Sequence, residues 1–165
     1  MFRIRSVMAK GKTEADIRAP KAPGRREQVA ALPYRCAPDL QVLLVSSLES
    51  RRWIVPKGWP MKGRSFAESA AQEAFEEAGV KGAIAPQPLG AYTYDKRKKN
   101  GSVLRCDVEV FPLEVRKQVA NWPEKALRSQ RWCNWREAAE LVDDAGLGEL
   151  IRAFAQSPSG ESQSS

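Results

Sequence analysis

Residues 58–80 read Gly58-Trp-Pro-Met-Lys-Gly-Arg-Ser-Phe-Ala-Glu-Ser-Ala-Ala-Gln-Glu-Ala-Phe-Glu-Glu-Ala-Gly-Val80, a glycine-bearing loop followed by a helical pattern. At about 100° per residue, Glu73, Glu76 and Glu77 fall within an arc of about 100°. Five alanines fall on a different face, where small side chains allow close contact with a sheet. They are Ala67, Ala70, Ala71, Ala74 and Ala78. We therefore expect a helix that buries alanine and presents three carboxylates to a cleft.

Both ends of this helix are marked in the sequence. Ser65 is followed three residues later by Glu68, the capping-box spacing in which each side chain accepts from the other residue's backbone N–H. Gly79 suits the left-handed position just beyond a helix. The helix is therefore predicted to run from about Phe66 to Ala78, with Glu68 in a structural role.

The three remaining glutamates repel one another at this spacing, by roughly 0.2 to 0.5 kcal/mol per pair in an isolated helix. A divalent cation would reverse the sign of that interaction. Carboxylate, carbonyl and water oxygens suit Mg²⁺ or Mn²⁺ better than zinc. A solvated acidic helix face explains the same spacing, so the pattern alone leaves both interpretations open.

Alternating and apolar runs elsewhere predict a strand-rich protein. The predicted strands are Glu27–Leu32, Gln41–Ser46, Trp53–Val55, Leu89–Asp95, Val103–Leu113 and Ser129–Trp132. Two further helices are predicted at Trp135–Val142 and Leu147–Ala155. We expect an α/β (α+β) fold in which a mixed β-sheet is sandwiched between α-helices.

Length and composition predict one compact domain. The chain has 165 residues, of which 42% are hydrophobic, enough for a single core. We expect a basic, partly disordered N-terminal arm over 1–24, a folded domain over 25–156 and a disordered tail over 157–165. No stretch approaches the ~18 apolar residues of a membrane span, and the N-terminus lacks an apolar signal segment. The arginine-bearing segment 2–7 leaves an organelle transit peptide as an alternative, but Glu14 and Asp16 argue against it. These features predict a cytoplasmic protein with no membrane partner.

The chain contains no histidine, which restricts its chemistry. Histidine bases, histidine-containing triads and histidine-ligated zinc are excluded. A general base must be a carboxylate, lysine, tyrosine, cysteine thiolate or metal-bound hydroxide. Three widely spaced cysteines fit reduced thiols that serve as small apolar groups. They are Cys36, Cys106 and Cys133.

Basic residues indicate an anionic ligand. The net charge is +7, which favours an anionic partner through steering as well as contact. Cations cluster at predicted loops and strand ends, at Arg25–Arg26, Arg51–Arg52, Lys57 and Lys62, and Lys96–Lys99. Asn100-Gly101 is a hairpin-turn signal that places the last cluster at a loop tip. A solvated basic surface is the alternative interpretation of these clusters.

The spacing of residues 58–80 resembles the Nudix box, G-x5-E-x7-R-E-U-x-E-E-x-G-U, where U is aliphatic. The positions in register are Gly58, Glu73, Ala74, Glu76, Glu77, Gly79 and Val80. Arg64 and Gln72 depart from it, standing where the family has glutamate and arginine. Those two family residues usually pair to brace the loop against the helix. An Arg64 to Gln72 hydrogen bond is expected to replace that brace.

Three flanking segments resemble the diphosphoinositol polyphosphate phosphohydrolase branch of the family. They are 42–47, 52–58 and Trp122-Pro-Glu124 leading into Arg131-Trp132. The resemblance implies the Nudix fold and a metal-dependent hydrolase that cleaves a phosphoanhydride in a highly anionic substrate, such as a diphosphoinositol or diadenosine polyphosphate. The alternatives are an RNA 5′-pyrophosphohydrolase, a nucleoside triphosphate pyrophosphatase, and a non-catalytic Nudix-like regulator that binds nucleotide or RNA. Intact glutamates favour catalysis.

The resemblance also implies site residues. Glu73, Glu76 and Glu77 are the catalytic set and would hold Mg²⁺ or Mn²⁺ together with the backbone carbonyl near Gly58. One of these glutamates, or a carboxylate from elsewhere such as Glu109 or Glu114, would take the proton of the attacking water. The predicted substrate-binding residues are Arg26, Ser46, Ser47, Lys57, Lys98 and Arg131. The partner is an anionic polyphosphate or an RNA 5′ end, and the sequence leaves monomer and homodimer open.

Overall fold

The computed structural model describes residues 25–157. The predicted N-terminal arm lies outside these residues, as does the predicted tail apart from Ser157. The strands are β1 (Arg25–Cys36), β2 (Leu40–Ser46), β3 (Trp53–Ile54), β4 (Lys57–Gly58), β5 (Val80–Ile84), β6 (Gly90–Arg97), β7 (Val103–Gln118) and β8 (Gln130–Asn134). The helices are α1 (Phe66–Ala78), α2 (Trp135–Leu141) and α3 (Ala145–Ala155). No helix within 25–157 is long and apolar enough to cross a bilayer.

A mixed sheet forms the centre of the fold. Strand β1 runs parallel to β7, from the Arg25–Arg105 pair to the Tyr34–Glu114 pair. On its other edge β1 is antiparallel to β4 and then to β2. The far edge of β7 pairs first with β6 and then with β5, and β2 also pairs with β3 and β8. Parallel and antiparallel pairs therefore meet in one sheet, as predicted.

Each face of the sheet has its own core. Helix α1 covers a cluster that contains Val29, Leu43 and Phe111. Helices α2 and α3 cover the opposite face, where Leu147, Ile151 and Phe154 meet alternate residues of the same strands. Cys106 and Cys133 are buried and Cys36 is half-buried, all three as free thiols. The predicted sheet between helices is confirmed.

Helix α1 follows its sequence signals closely. Ser65 Oγ accepts from the Glu68 N–H at 3.1 Å, and the Glu68 carboxylate accepts from the Ser65 N–H at 2.8 Å. Gly79 adopts φ 69° and closes the helix with a bond to the Phe75 carbonyl. Four of the five alanines are buried against the sheet, whereas Ala71, at the edge of the stripe, is half-buried. Ala71 instead lines an open groove of about 620 Å³ between α1 and β5.

The loop between β7 and β8 covers the C-terminal end of α1. Carbonyl oxygens of Glu76 and Gly79 accept from the N–H groups of Glu124 and Val119, both at 2.9 Å. The Gln130 side-chain amide donates to the Ala78 carbonyl at 3.0 Å. These bonds satisfy acceptors that a helix end otherwise leaves unpaired. The loop is therefore held by the helix end that carries the glutamates.

The structure differs from prediction at short strands and at strand ends. Strands β4 and β5 were not predicted, since β4 has two residues and β5 is bulged at Lys81–Gly82. Strands β1 and β7 continue through and beyond Pro33 and Pro112. Each proline lies where the strand changes its partner, so the missing N–H falls at a break in the ladder. Helix α3 begins at Ala145 rather than at the predicted Leu147.

Replacing Gly79 by alanine should destabilise the protein by about 3 kcal/mol or more, because the change combines a left-handed backbone with overpacking. A Cβ there would lie 2.4 Å from the Trp122 ring. Gly63→Ala is the matched control, because Gly63 also has a positive φ, 80°, but faces open space. We expect it to cost about 1 kcal/mol. Equal losses of unfolding free energy in urea would show that Trp122 yields to the new methyl group.

Candidate active site

The three predicted glutamates lie together beside the edge of the sheet formed by β4. Glu77 is buried, with 5% of its surface exposed, and Glu73 and Glu76 are half-buried. A Cβ added to Gly58 would lie 2.4 Å from the carboxyl carbon of Glu73. Gly58 is therefore needed at this position, because any side chain would displace the Glu73 carboxylate.

Arg128, whose side chain is only 9% exposed, contacts this cluster and was not predicted as a site residue. Its Nε donates to Glu124 at 2.8 Å, and its Nη2 lies 3.3 Å from Glu77 Oε2. Its Nη1 donates to the Ser46 carbonyl at 2.9 Å. Glu124 belongs to the segment Trp122-Pro-Glu124, which the sequence analysis compared with a family branch. It precedes Arg128 by four residues. Nothing local in that spacing indicates that the pair meets Glu77, which is far away in the chain.

Burial changes the titration of two of these glutamates. The pKa of Glu77 is raised to about 8, mainly by burial; Arg128 acts to lower it, and the charges of Glu73 and Glu124 act to raise it. Burial, and then the charge of Glu76, raise the pKa of Glu73 to about 7. For both groups the largest effect is burial, which disfavours the charged form of a carboxylate, and the neighbouring like charges act in the same direction. A bound cation would favour the charged form of these carboxylates.

The donor set fits a hard divalent cation. Oε1 of Glu77 is buried and receives no hydrogen bond from a donor of the described residues, and the Glu73 carboxyl lies within hydrogen-bonding reach of the Glu77 carboxyl. As placed, no three acidic or cysteine side chains within 25–157 converge closely enough to enclose an ion. Mg²⁺ commonly uses only one or two protein carboxylates and keeps water or substrate phosphate as its other ligands. An open site of this kind suits an ion that is shared with a substrate.

The predicted link between the two unusual box positions is present. Arg64 Nη1 donates to Gln72 Oε1 at 3.1 Å. The amide of Gln72 also donates to Glu76 Oε2 at 2.8 Å. The brace thus continues to one of the three glutamates, a connection that the sequence analysis did not anticipate.

Lys57 is the predicted substrate residue placed closest in sequence to the cluster. It precedes Gly58, and its Nζ lies 4.9 Å from the centre of the Tyr94 ring. Burial lowers the pKa of Lys57, while the charges of Glu77 and then Asp144 act in the opposite direction. The effect of Glu77 on this pKa means that the Lys57 ammonium group is close enough to interact electrostatically with the carboxylates.

The two predicted serines already take part in the local structure. Ser46 is buried, and its Oγ accepts from the Ser129 N–H at 2.9 Å. Ser47 Oγ accepts from the Arg52 N–H at 3.1 Å and lies 2.6 Å from Ser50 Oγ. Because the Ser46 hydroxyl acts as an acceptor in its bond to Ser129, its own proton is still available to a ligand.

The other predicted substrate residues are distributed around the sheet. Arg26 is exposed on β1, and Lys98 lies in the exposed β6–β7 turn. Strand pairing places both at the same end of the sheet, since Arg26 is opposite Cys106 and the turn joins β6 to β7. Arg131 forms an exposed ion pair with Glu137 at the other sheet edge. The structure therefore groups Arg26 with Lys98 and leaves Arg131 apart.

The two candidate carboxylates on β7, Glu109 and Glu114, lie in different surroundings. Glu109 is buried and is opposite Val29, which is itself opposite Gly58. It therefore lies in the same cross-strand row as the glycine beneath Glu73. Glu114 pairs with Arg116 at 3.1 Å, and its charge raises the pKa of Tyr34 after the larger effect of burial. The structure keeps Glu109 as a candidate and adds Glu124 in place of Glu114.

Comparisons with known proteins identify chains of similar sequence and fold. Residues 25–154 match the family described as NUDIX domain. The chain is 34% identical over 157 residues to Nudix hydrolase 13, mitochondrial, of Arabidopsis thaliana, covering 81% of this chain and 77% of that protein. It is 30% identical over 122 residues to diphosphoinositol polyphosphate phosphohydrolase 3-alpha of Mus musculus, covering 72% and 70%. The structure of a C. elegans Ap4A hydrolase binary complex has a TM-score of 0.61 at 24% identity, covering 82% of this chain and 98% of that one. The last likeness shows the fold.

Rebuilding the usual family pair tests the brace. Arg64→Glu alone should lower the unfolding free energy by about 0.5 to 1 kcal/mol, because it removes the hydrogen bond to Gln72. Adding Gln72→Arg should recover most of that loss, while Gln72→Arg alone opposes two arginines. Urea unfolding of the three variants gives the coupling between the positions. Strictly additive losses would show that positions 64 and 72 are independent.

Proposed function

The chain belongs to the Nudix hydrolase family, whose members cleave phosphoanhydride bonds with divalent metal ions, and we propose that its substrate is a highly anionic polyphosphate. A diphosphoinositol polyphosphate or a diadenosine polyphosphate fits this description. The observation that carries the proposal is the carboxylate cluster at Gly58, in which Glu77 is buried and the Glu73 carboxylate fills the space that a side chain at position 58 would take.

We assign Mg²⁺ or Mn²⁺ to this cluster. Glu73, Glu76 and Glu77 would hold it together with the backbone carbonyl near Gly58. When bound, such an ion neutralises diphosphate oxygens and lowers the pKa of the attacking water. The unpartnered Oε1 of Glu77 supports the assignment, since burying a carboxylate oxygen without a partner is costly.

A carboxylate of this chain then takes the proton of the attacking water. Glu73, Glu76 and Glu77 remain candidates for this role, and so does Glu109, which lies across Val29 from Gly58 in the same cross-strand row. Glu124 joins them because its ion pair with Arg128 brings it to the same charged cluster. With no histidine in the chain, a carboxylate is the group best suited to this transfer near neutral pH.

The basic residues support a ligand with several phosphates. Lys57 lies beside the cluster, and Arg26 and Lys98 extend positive charge along one end of the sheet. Lysine acts as a point charge, whereas arginine binds phosphate through two bonds. We propose that Ser46 and Ser47 also contact the substrate, and that Arg131, which lies apart from the other cations, contacts it after leaving Glu137. The names of the mouse relative and of the C. elegans neighbour supply the two substrate classes. The cytoplasmic location stays a prediction, since the Arabidopsis relative is named as mitochondrial.

A substrate panel tests this proposal. Phosphate release should depend on Mg²⁺ or Mn²⁺ and be fastest with inositol pyrophosphate or diadenosine tetraphosphate, and slower with ATP and triphosphorylated RNA. Glu77→Gln should lower kcat by at least about 100-fold, as expected when a metal site is disrupted. Glu114→Gln is the control, because its exposed pair with Arg116 lies outside the cluster. Faster turnover of RNA would select the alternative substrate, and no turnover of any member would refute catalysis.

The role of Gly58 can be tested separately from the glutamates. Gly58→Ala should weaken Mn²⁺ binding, because the new methyl group displaces the Glu73 carboxylate. The displaced atoms are the free end of a flexible side chain, so unfolding free energy should change by less than about 1 kcal/mol. Gly63→Ala, at an open loop position, should leave Mn²⁺ binding unchanged. Unaltered Mn²⁺ affinity in Gly58→Ala would separate Gly58 from the metal site.

A further inference from the structure

Arg128 is held from three sides, which distinguishes it from the arginines at the protein surface. Its Nε, Nη1 and Nη2 are engaged by Glu124, the Ser46 carbonyl and Glu77. Only 9% of its side chain is exposed. A guanidinium fixed by three different partners cannot rotate away without leaving at least one buried polar group unpaired. Its positive charge is therefore a permanent part of the cluster.

The arrangement of the ion pairs is asymmetric. Arg128 contacts Oε2 of Glu77, whereas Oε1 of the same carboxylate has no hydrogen-bond partner among the described residues. The arginine thus fixes the plane of the Glu77 carboxylate through Oε2, while Oε1 receives no bond from a donor of the described residues and the Glu73 carboxyl lies beside the same carboxylate. It also fixes Glu124, whose backbone N–H is bonded to the Glu76 carbonyl. One side chain sets the orientation of two carboxylates from different parts of the chain.

We infer that Arg128 is a positioning residue of the metal site, an internal cation that orients Glu77 and Glu124 and moderates the affinity of the cluster for divalent ions. The inference rests on the proposed metal-dependent function. A divalent ion at Glu77 shares its carboxylate with this fixed positive charge. Even at the dielectric constant of water, a unit charge about 6 Å from a divalent ion changes its binding about tenfold. Arg128 therefore lowers the affinity of the site for metal while it holds the ligand carboxylates in a fixed geometry.

A purely structural clamp makes the opposite prediction for metal binding. If Arg128 only tied the β7–β8 loop to β2 and α1, its removal would loosen Glu77 and weaken metal binding together with stability. If it acts as an internal cation, its removal lowers stability, since a buried carboxylate loses its partner, yet tightens metal binding. The sign of the change in Mn²⁺ affinity separates the two roles.

The test compares neutral and charged replacements of Arg128. After chelation to remove bound metal, Mn²⁺ is titrated at pH 8 and free Mn²⁺ is followed by electron paramagnetic resonance. Arg128→Met and Arg128→Gln should each lower the Kd for Mn²⁺ about tenfold, with kcat at least tenfold lower in saturating metal. Arg128→Gln provides the measurement if Arg128→Met does not fold. Arg116→Met, which removes an arginine from an exposed pair, should leave both quantities unchanged.

Arg128→Lys separates charge from geometry. Lysine restores the positive charge but, as a point charge, does not reproduce the planar set of bonds. Its Kd for Mn²⁺ should return to within about threefold of the parent, while kcat stays reduced. An unchanged or raised Kd in the neutral variants would overturn the inference. Failure of the parent itself to bind Mn²⁺ would instead refute the proposed function, so the two failures are distinguishable.

Discussion

Close contact between helix α1 and the sheet is the constraint on which the rest of the structure depends. Alanine side chains are small enough to bring the helix near β1 and β7, and four of them are completely or almost completely buried. This proximity carries the adjacent face of the helix to the edge of the sheet, where Gly58 has no side chain to keep it away. A larger residue in the stripe would move the carboxylates as well as the core. The size of the side chains packed under the helix therefore also determines the position of the site carboxylates.

The cost of that geometry is electrostatic. Carboxylates are drawn out of water into mutual proximity, and burial, more than any single neighbour, raises the pKa of Glu73 and Glu77. Arg128 offsets only part of this repulsion. Such residual strain is common at functional sites, where stability is lower than the sequence would otherwise allow. The surrounding structure compensates with a well-capped helix and two dense apolar layers.

Local signals account for what the sequence could predict. The Ser65–Glu68 box and Gly79 define α1 because capping depends on residues within one turn. The glutamate register and the Arg64–Gln72 contact follow from helical spacing and the family pattern. Strand β4 escaped prediction because two residues carry no periodicity, and its existence depends on a partner strand. Arg128 escaped for a related reason. Its i,i+4 spacing from Glu124 resembles an ordinary surface pair, and only tertiary structure reveals that Arg128 also contacts Glu77. Contacts between distant segments thus remained beyond the reach of spacing arguments.

The carbonyl groups at the end of α1 have a consequence for how this protein can change over time. Loops that merely connect strands usually accept insertions and deletions with little effect. The β7–β8 loop is fixed to the helix at three carbonyl groups, those of Gly79, Glu76 and Ala78. They accept hydrogen bonds from Val119, Glu124 and Gln130 in turn. Adding or removing a residue between those points would shift Glu124 and Arg128 relative to the glutamates. We therefore expect natural variants to vary freely in length at the β6–β7 turn, but to conserve the residue count between Val119 and Gln130.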